Sequence, residues 1–203
     1  MNEKVLFVIL EKYADWECAF LSTALQHGIG NSKPCYEVKT VSVTRAPLAS
    51  DGGFVTVPDY DINSVPEDYA GVILVGGYSW IDVESKGLTE EAQKIVSLVD
   101  KTLKDGKMLG AICNGTVFLG MTGFLNNCSH TSNGLDNIIS LAKEKYTGHD
   151  RYVEKQAVRD NNIVTANGTG YLEFARESLL ALKAYPEKEI EEHYNFFKLG
   201  LCK

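Results

Sequence analysis

Apolar residues along the chain fall into two patterns: short unbroken runs, and longer stretches in which every third or fourth position is apolar. Lys4-Val-Leu-Phe-Val-Ile-Leu10 is an unbroken run, the signature of a strand covered on both faces, as in a parallel sheet. Asp15 then stands where it can cap a helix whose stripe is Phe20, Leu21, Ala24 and Leu25 and whose end falls near Gly28. Positions 36–44 read as a second strand. Ser50-Asp-Gly-Gly53 is turn chemistry between short extended pieces, predicting a small peripheral hairpin that ends around Pro58. Gly71-Val-Ile-Leu-Val-Gly-Gly77 is a further buried strand, broken at its carboxyl end by two glycines that permit unusual φ or close approach to a ligand.

The second half continues the alternation. Thr89-Glu-Glu opens a helix with Ala92, Ile95, Val96, Val99 and Leu103 on one face and Gly106 just past its end. Lys107 to Ile112 returns to strand and runs into Cys113-Asn-Gly-Thr, whose small residues allow a sharp turn into the next helix. A helix from about Asn133 to Lys145, strands near 155–158 and 163–166, and helices over about 172–184 and 186–199 complete the reading. The last starts on proline and acids and spaces Ile190, Tyr194 and Phe197 on one face. Strand and helix alternating in this way predict a doubly wound, mainly parallel sheet sandwiched by helices, with right-handed crossovers. Sites in such sheets lie at the carboxyl ends of the strands. Topology therefore directs attention to 13–17, 76–80, 113–115 and 166–170.

Composition narrows the functional classes. At 203 residues, the chain fits one α/β domain spanning 1–203 better than two small ones. Twenty basic residues against 27 acidic ones give a net charge of −7, which argues against nucleic acid as partner. The amino-terminal apolar run is too short for a signal h-region or a membrane span, so a cytoplasmic location with no membrane partner is expected. The cysteines, at 18, 35, 113, 128 and 202, are odd in number, without a C-x-x-C pair or clustered His. Neither a disulfide framework nor a metal site is signalled, and no cofactor is called for, since the G-x-G-x-x-G fingerprint is absent from the first strand-helix turn.

The corner at Cys113 carries the chemistry. A nucleophile elbow needs small residues two before and two after the nucleophile, and Ala111-Ile-Cys113-Asn-Gly115 satisfies that spacing. There the thiol faces the positive end of the following helix, which predicts a pKa below the usual ~8.5. Backbone N–H groups of Asn114 and of the Gly76-Gly77 turn are candidate oxyanion donors. The alternative is a cysteine that merely packs between strand and helix. His130, seventeen residues after Cys113, is the one histidine placed to approach the thiol as a general base; its alternative is a hydrogen-bonded structural imidazole. Tyr78 and Trp80 either wall the pocket or pack at a dimer interface. Cys18 reads as a first-turn helix residue packing on the sheet.

Taken together, Val-Gly-Gly77, Gly110-Ala-Ile-Cys113-Asn-Gly115, Gly123-Phe-Leu125 leading to His130-Thr-Ser-Asn133, and Ile163-Val-Thr-Ala-Asn-Gly168 followed by Leu172-Glu-Phe-Ala-Arg176 resemble the ThiJ/PfpI family. That family belongs to the class I glutamine-amidotransferase-like superfamily, which also contains the Parkinson's-disease-associated protein deglycase. The resemblance implies a flavodoxin-like sandwich, usually a homodimer, with a reactive cysteine on the elbow and a carboxylic acid from the first strand-helix corner beside it. Glu17 stands at that matching corner; read without the family, it is equally an exposed first-turn acid complementing a helix dipole. The pattern departs from the family in two places. Asn114 stands where the protease-like branch has histidine, and Tyr171-Leu-Glu173 stands where glutaminase domains carry His-x-Glu.

The sequence thus predicts a cysteine-dependent enzyme for a small-molecule substrate, in which Cys113 attacks an amide-type carbonyl or a reactive aldehyde, with Glu17 moving the proton. It is a hydrolase, amidase or glyoxalase/deglycase-like lyase in this reading, and not a true glutaminase. Two rival readings are a redox sensor in which Cys113 becomes a sulfinate held by Glu17, and a non-catalytic small-molecule-binding relative.

Overall fold

The computed structural model describes residues 3–200; Cys202 lies outside them. Its strands are β1 (Glu3–Val8), β2 (Tyr36–Ser42), β3 (Leu48–Ala49), β4 (Val55–Thr56), β5 (Tyr60–Asp61), β6 (Tyr69–Leu74), β7 (Met108–Ile112), β8 (Ala157–Asp160) and β9 (Ile163–Ala166). Its helices are α1 (Asp15–His27), α2 (Glu90–Lys104), α3 (Asn114–Met121), α4 (Leu135–Ala142), α5 (Tyr171–Ala181) and α6 (Glu187–Leu199).

Seven strands form one sheet in the order β5-β2-β1-β6-β7-β9-β8, parallel throughout except for the antiparallel β8–β9 edge. The unbroken apolar runs follow from this position. Leu6, Val8 and Leu10 pack on one face with Leu109, Ala111 and residues of α2, α3 and α4. Val5, Phe7 and Ile9 pack on the other with Ile112, Val164 and residues of α1, α5 and α6. A strand with a helical layer on each face needs apolar side chains at every position. β3 and β4 pair as the antiparallel hairpin expected around Ser50 to Gly53. β5, two residues that extend the sheet beside β2, carries too short a pattern to be read in advance.

Of the six α-helices described, α2 alone has its first turn capped by a side chain. Thr89 caps α2 by accepting from the Ala92 N–H at 3.1 Å, and Gly106 takes the positive φ of 68° expected past that helix. Asp15 is not the cap of α1: Ala14 occupies that position with no side-chain bond. The Asp15 carboxylate turns outward to accept from the Ser50 hydroxyl at 2.5 Å and the Gly52 N–H at 3.2 Å. It fastens the hairpin to the corner after β1 and leaves the first turn of α1 to Glu17. Among the described residues no helix is long and apolar enough to cross a membrane.

Candidate functional site

The chain winds outward from β1 to β2 in one direction and from β6 to β7 in the other, so the topological switch point, where sheets of this class place their sites, lies past the carboxyl ends of β1 and β6. Glu17 follows β1, Gly76 and Gly77 follow β6, Cys113 follows β7 and Gly168 follows β9. All four corners meet. A Cβ added to Gly76 would run into Glu17 Oε2 and come within 2.6 Å of Cys113 Cβ, and one added to Gly168 would lie 3.0 Å from Glu17 Oε1 and 3.1 Å from Cys113 Sγ. The carboxyl and the thiol therefore share one small space, and only glycine fits at Gly76.

Cys113 sits at φ 56°, ψ −126°, a left-handed conformation that costs a non-glycine residue about 1–3 kcal/mol. The surroundings hold it there. Its N–H donates to the Ala166 carbonyl at 3.0 Å, and its carbonyl accepts from the Thr116 N–H at 3.0 Å and the Thr116 hydroxyl at 2.6 Å. The Thr116 hydroxyl in turn lies 2.6 Å from that of Ser132. The elbow spacing has its reason in the same corner, because a Cβ on Gly115 would stand 2.8 Å from the Leu74 carbonyl oxygen.

Glu17 is 2% exposed, which sets aside the reading of a solvated first-turn acid. Its Oε2 has no hydrogen-bond partner among the described residues. Burial raises the carboxyl from its ordinary 4.5 to about 7, with the nearby thiol and the Gly76 N–H pulling less strongly the other way. Burial, followed by the charge of Glu17, pushes the Cys113 thiol up to about 11. The expectation of a thiol held below the ordinary range by α3 is thus corrected: desolvation and a carboxylate neighbour outweigh the helix end. Because each charge opposes the other, the pair titrates as a unit. A proton on Glu17 removes the repulsion and supplies a donor to thiolate.

Asn133, absent from the sequence-derived candidates, completes the site. Its Nδ2 donates to Cys113 Sγ at 3.2 Å and its Oδ1 accepts from the Gly168 N–H at 2.9 Å. Asn114 donates through Nδ2 to the Gly77 carbonyl at 2.9 Å, tying the glycine turn to the elbow, while its N–H eases the thiol pKa downward. Gly76 directs its N–H at Glu17, so of the candidate oxyanion donors Gly77 and Asn114 are the two not directed at the carboxylate.

His130 is placed elsewhere. It is fully buried, with Nδ1 2.8 Å from the Cys128 carbonyl and Nε2 2.6 Å from the Tyr146 hydroxyl. A carbonyl only accepts, so Nδ1 carries the proton and Nε2 accepts from Tyr146. Both ring nitrogens are engaged, and the general-base expectation for His130 gives way to the structural imidazole. Trp80 is also a core residue, 1% exposed, donating from Nε1 to the Val75 carbonyl at 2.8 Å and packed on Phe118; it neither walls a pocket nor faces a partner. Tyr78 remains exposed. Cys18 donates to the Asp15 carbonyl and packs on the sheet layer, its thiol pushed up to about 12 by burial. Among the described residues no group of three His, Cys, Asp or Glu side chains is arranged to hold a metal ion.

Comparison with known proteins agrees with this fold. The model of the DJ-1/PfpI family matches residues 3–181. "Uncharacterized protease YdeA" of Bacillus subtilis is 38% identical over 175 residues, covering 85% of this chain and 79% of that protein. "Uncharacterized protease YoaZ" of the same organism is 31% identical over 202 residues, covering 97% and 91%. A crystal structure of a thiJ/pfpI family protein from Bacillus anthracis superimposes with a TM-score of 0.87 at 29% identity, over 98% of this chain and 91% of that one.

Proposed function

The chain belongs to the DJ-1/PfpI family, and from that premise we propose that it is a cysteine-dependent enzyme that adds the Cys113 thiol to the carbonyl carbon of a small reactive aldehyde. The observation that carries the reading is a single buried carboxyl, raised to about 7, against the thiol in a site where no imidazole is hydrogen-bonded to sulfur. The thiol proton moves to Glu17, the sulfur forms the C–S bond, and the carbonyl oxygen takes the proton back from Glu17, giving a hemithioacetal and the original carboxylate. The Gly77 N–H group, joined by that of Asn114 as it turns from the sulfur, is the donor proposed for the oxygen as its charge develops. With a 2-oxoaldehyde the same carboxylate removes the proton on the former aldehyde carbon and returns it to the neighbouring carbonyl carbon, while the hydroxyl proton of the hemithioacetal passes to the neighbouring carbonyl oxygen. The resulting thioester is hydrolysed to a 2-hydroxy acid, and no external oxidant enters. Peptide cleavage asks for more, a second group to protonate the departing amine and activate water. The word protease in the names of the Bacillus relatives supports the amide-type alternative, and the absence of a bonded imidazole weighs against it.

A second reading rests on the unpartnered Glu17 Oε2. Two molecules of peroxide each give one oxygen to Cys113 and leave as water, and the protonated carboxyl then donates to the sulfinate. The working form in either reading is a cytoplasmic homodimer; a single monomer peak in sedimentation velocity removes the second half of that statement.

The deciding experiment follows 2-oxoaldehyde consumption and chromogenic amide hydrolysis in the parent, Cys113→Ser and Glu17→Gln. Aldehyde turnover that falls about a hundredfold or more in both variants is expected. Amide hydrolysis with aldehydes untouched moves the reading to the hydrolase. Turnover unchanged in Cys113→Ser ends it, and a stable sulfinate without turnover gives the redox reading.

A further inference from the structure

We propose that Asn133 is a catalytic residue of this site: a fixed donor that stabilises the thiolate sulfur of Cys113 as its proton leaves for Glu17. The proposal deepens the function above and rests on Cys113 being its nucleophile. Hydrogen-bond direction carries it. The Gly168 N–H can only donate, and it meets Asn133 Oδ1 at 2.9 Å. The amide oxygen is therefore committed to Gly168, and the NH2 group is the end that faces Cys113 Sγ at 3.2 Å. A donor facing sulfur favours thiolate over thiol, since a hydrogen bond to a charged acceptor is roughly twice as strong as one to a neutral group. The three groups around the sulfur then divide the work. Glu17 moves a proton, Asn114 donates from the backbone, and Asn133 donates from a side chain that cannot take a proton at all.

Two consequences distinguish this arrangement from a merely structural asparagine. First, Asn133 is exposed while Glu17 is buried, so the Asn133 amide is the one of the two that a substrate approaching Cys113 can meet from solvent. Second, an amide adds no ionisation of its own, so the pH dependence of the sulfur reports only the Cys113–Glu17 pair.

The test is the rate of iodoacetamide alkylation at Cys113, in which thiolate sulfur bonds to the methylene carbon and iodide leaves. The Cys113 peptide is quantified by mass spectrometry against pH in the parent, Asn133→Leu and Asn133→Asp. Asn133→Leu removes both donor and acceptor. Asn133→Asp keeps the acceptor for Gly168 and replaces only the donor, adding charge. The expected result is a rate on the rising limb about three- to tenfold lower in Asn133→Leu, and lower again in Asn133→Asp, with both profiles displaced to higher pH. Asn133→Gln, which restores an NH2 donor, is expected to recover part of the loss. Profiles that superimpose on the parent overturn the proposal. So does failure of both substitutions to give a folded protein by circular dichroism, which would make Asn133 a structural residue. Alkylation needs no substrate, so the two readings fail separately. A shifted profile in a protein whose aldehyde turnover ignores Cys113→Ser keeps Asn133 as the donor to the sulfur and removes its catalytic role together with the enzyme.

Discussion

Two polar clusters, one around His130 and one that joins Cys113 to Glu17, differ in how completely their groups are satisfied. In the first, His130 donates to the Cys128 carbonyl, accepts from Tyr146, and has the edges of Tyr146 and Tyr152 against it at centroid distances of 5.5 and 5.8 Å. Its backbone is also bonded, to Arg151 and Val153. In the second, Cys113 holds a left-handed backbone and Glu17 keeps a buried oxygen with no partner. A buried group with every bond made contributes to one well-defined fold, because any change leaves something orphaned. A buried group with a bond unmade retains capacity for a ligand or a proton. The imidazole, chemically the more versatile group, is thus the inert one here, and the carboxyl is the one free to act.

The sharpest way to break this comparison is at Gly76. An alanine there sets its Cβ against Glu17 Oε2 and within 2.6 Å of Cys113 Cβ, and both are held by the elbow and by α1. Misplacing reacting groups by this much costs about a hundredfold in rate. Gly76→Ala is expected to lose alkylation of Cys113 and aldehyde turnover by that factor while the far-ultraviolet spectrum stays native. Parental alkylation kinetics in this variant would mean that the site is loose and its apparent tightness has no functional weight.

The next largest effect belongs to the satisfied cluster and appears in stability. His130→Ala removes a fully buried ring and orphans Tyr146 and the Cys128 carbonyl, an expected loss of about 3 kcal/mol in urea unfolding. Tyr146→Phe leaves Nε2 alone unpaired and is expected to cost about 1 kcal/mol. Neither substitution should move the pH profile of Cys113 alkylation. A displaced profile in His130→Ala would restore the histidine to the reactive centre.

The fold was readable from the chain because unbroken apolar runs and helical stripes are properties of single segments. The elbow at Cys113 was readable for the same reason: small residues at fixed offsets are what the corner needs sterically. Asn133 and the role of His130 were not, because each depends on which way one short segment faces. From His130 onward alternate side chains point to opposite sides where the chain is extended, so a segment that turns His130 toward Tyr146 turns Asn133 the other way, toward the thiol. The sequence placed the right stretch beside Cys113 and could not choose its phase. The thiol pKa failed for a related reason. The helix end is local and visible, whereas the desolvation that outweighs it comes from four corners meeting.

The last effect turns the two clusters against each other through pH. The Glu17 carboxyl is raised from 4.5 to about 7 on folding, so between those values the folded chain binds more protons than the unfolded one. Its contribution is fully present below pH 4.5 and is lost as pH rises through about 7. His130 runs the opposite way: burial holds its pKa below the ordinary 6.5, so stability is lost as pH falls beneath that value and the unfolded chain takes up the proton. Glu17→Gln removes the first slope and leaves the second. The variant is expected to gain about 3 kcal/mol over the parent at alkaline pH, with the gain vanishing as pH falls to the ordinary carboxylate range. Paired urea titrations above and below this window measure it directly. A gain equal at both ends would come from packing alone and would mean that the buried charge of Glu17 is not what the folded protein carries at a cost. A gain confined to the alkaline side ties the loss of stability to the same ionisation that moves the thiol proton.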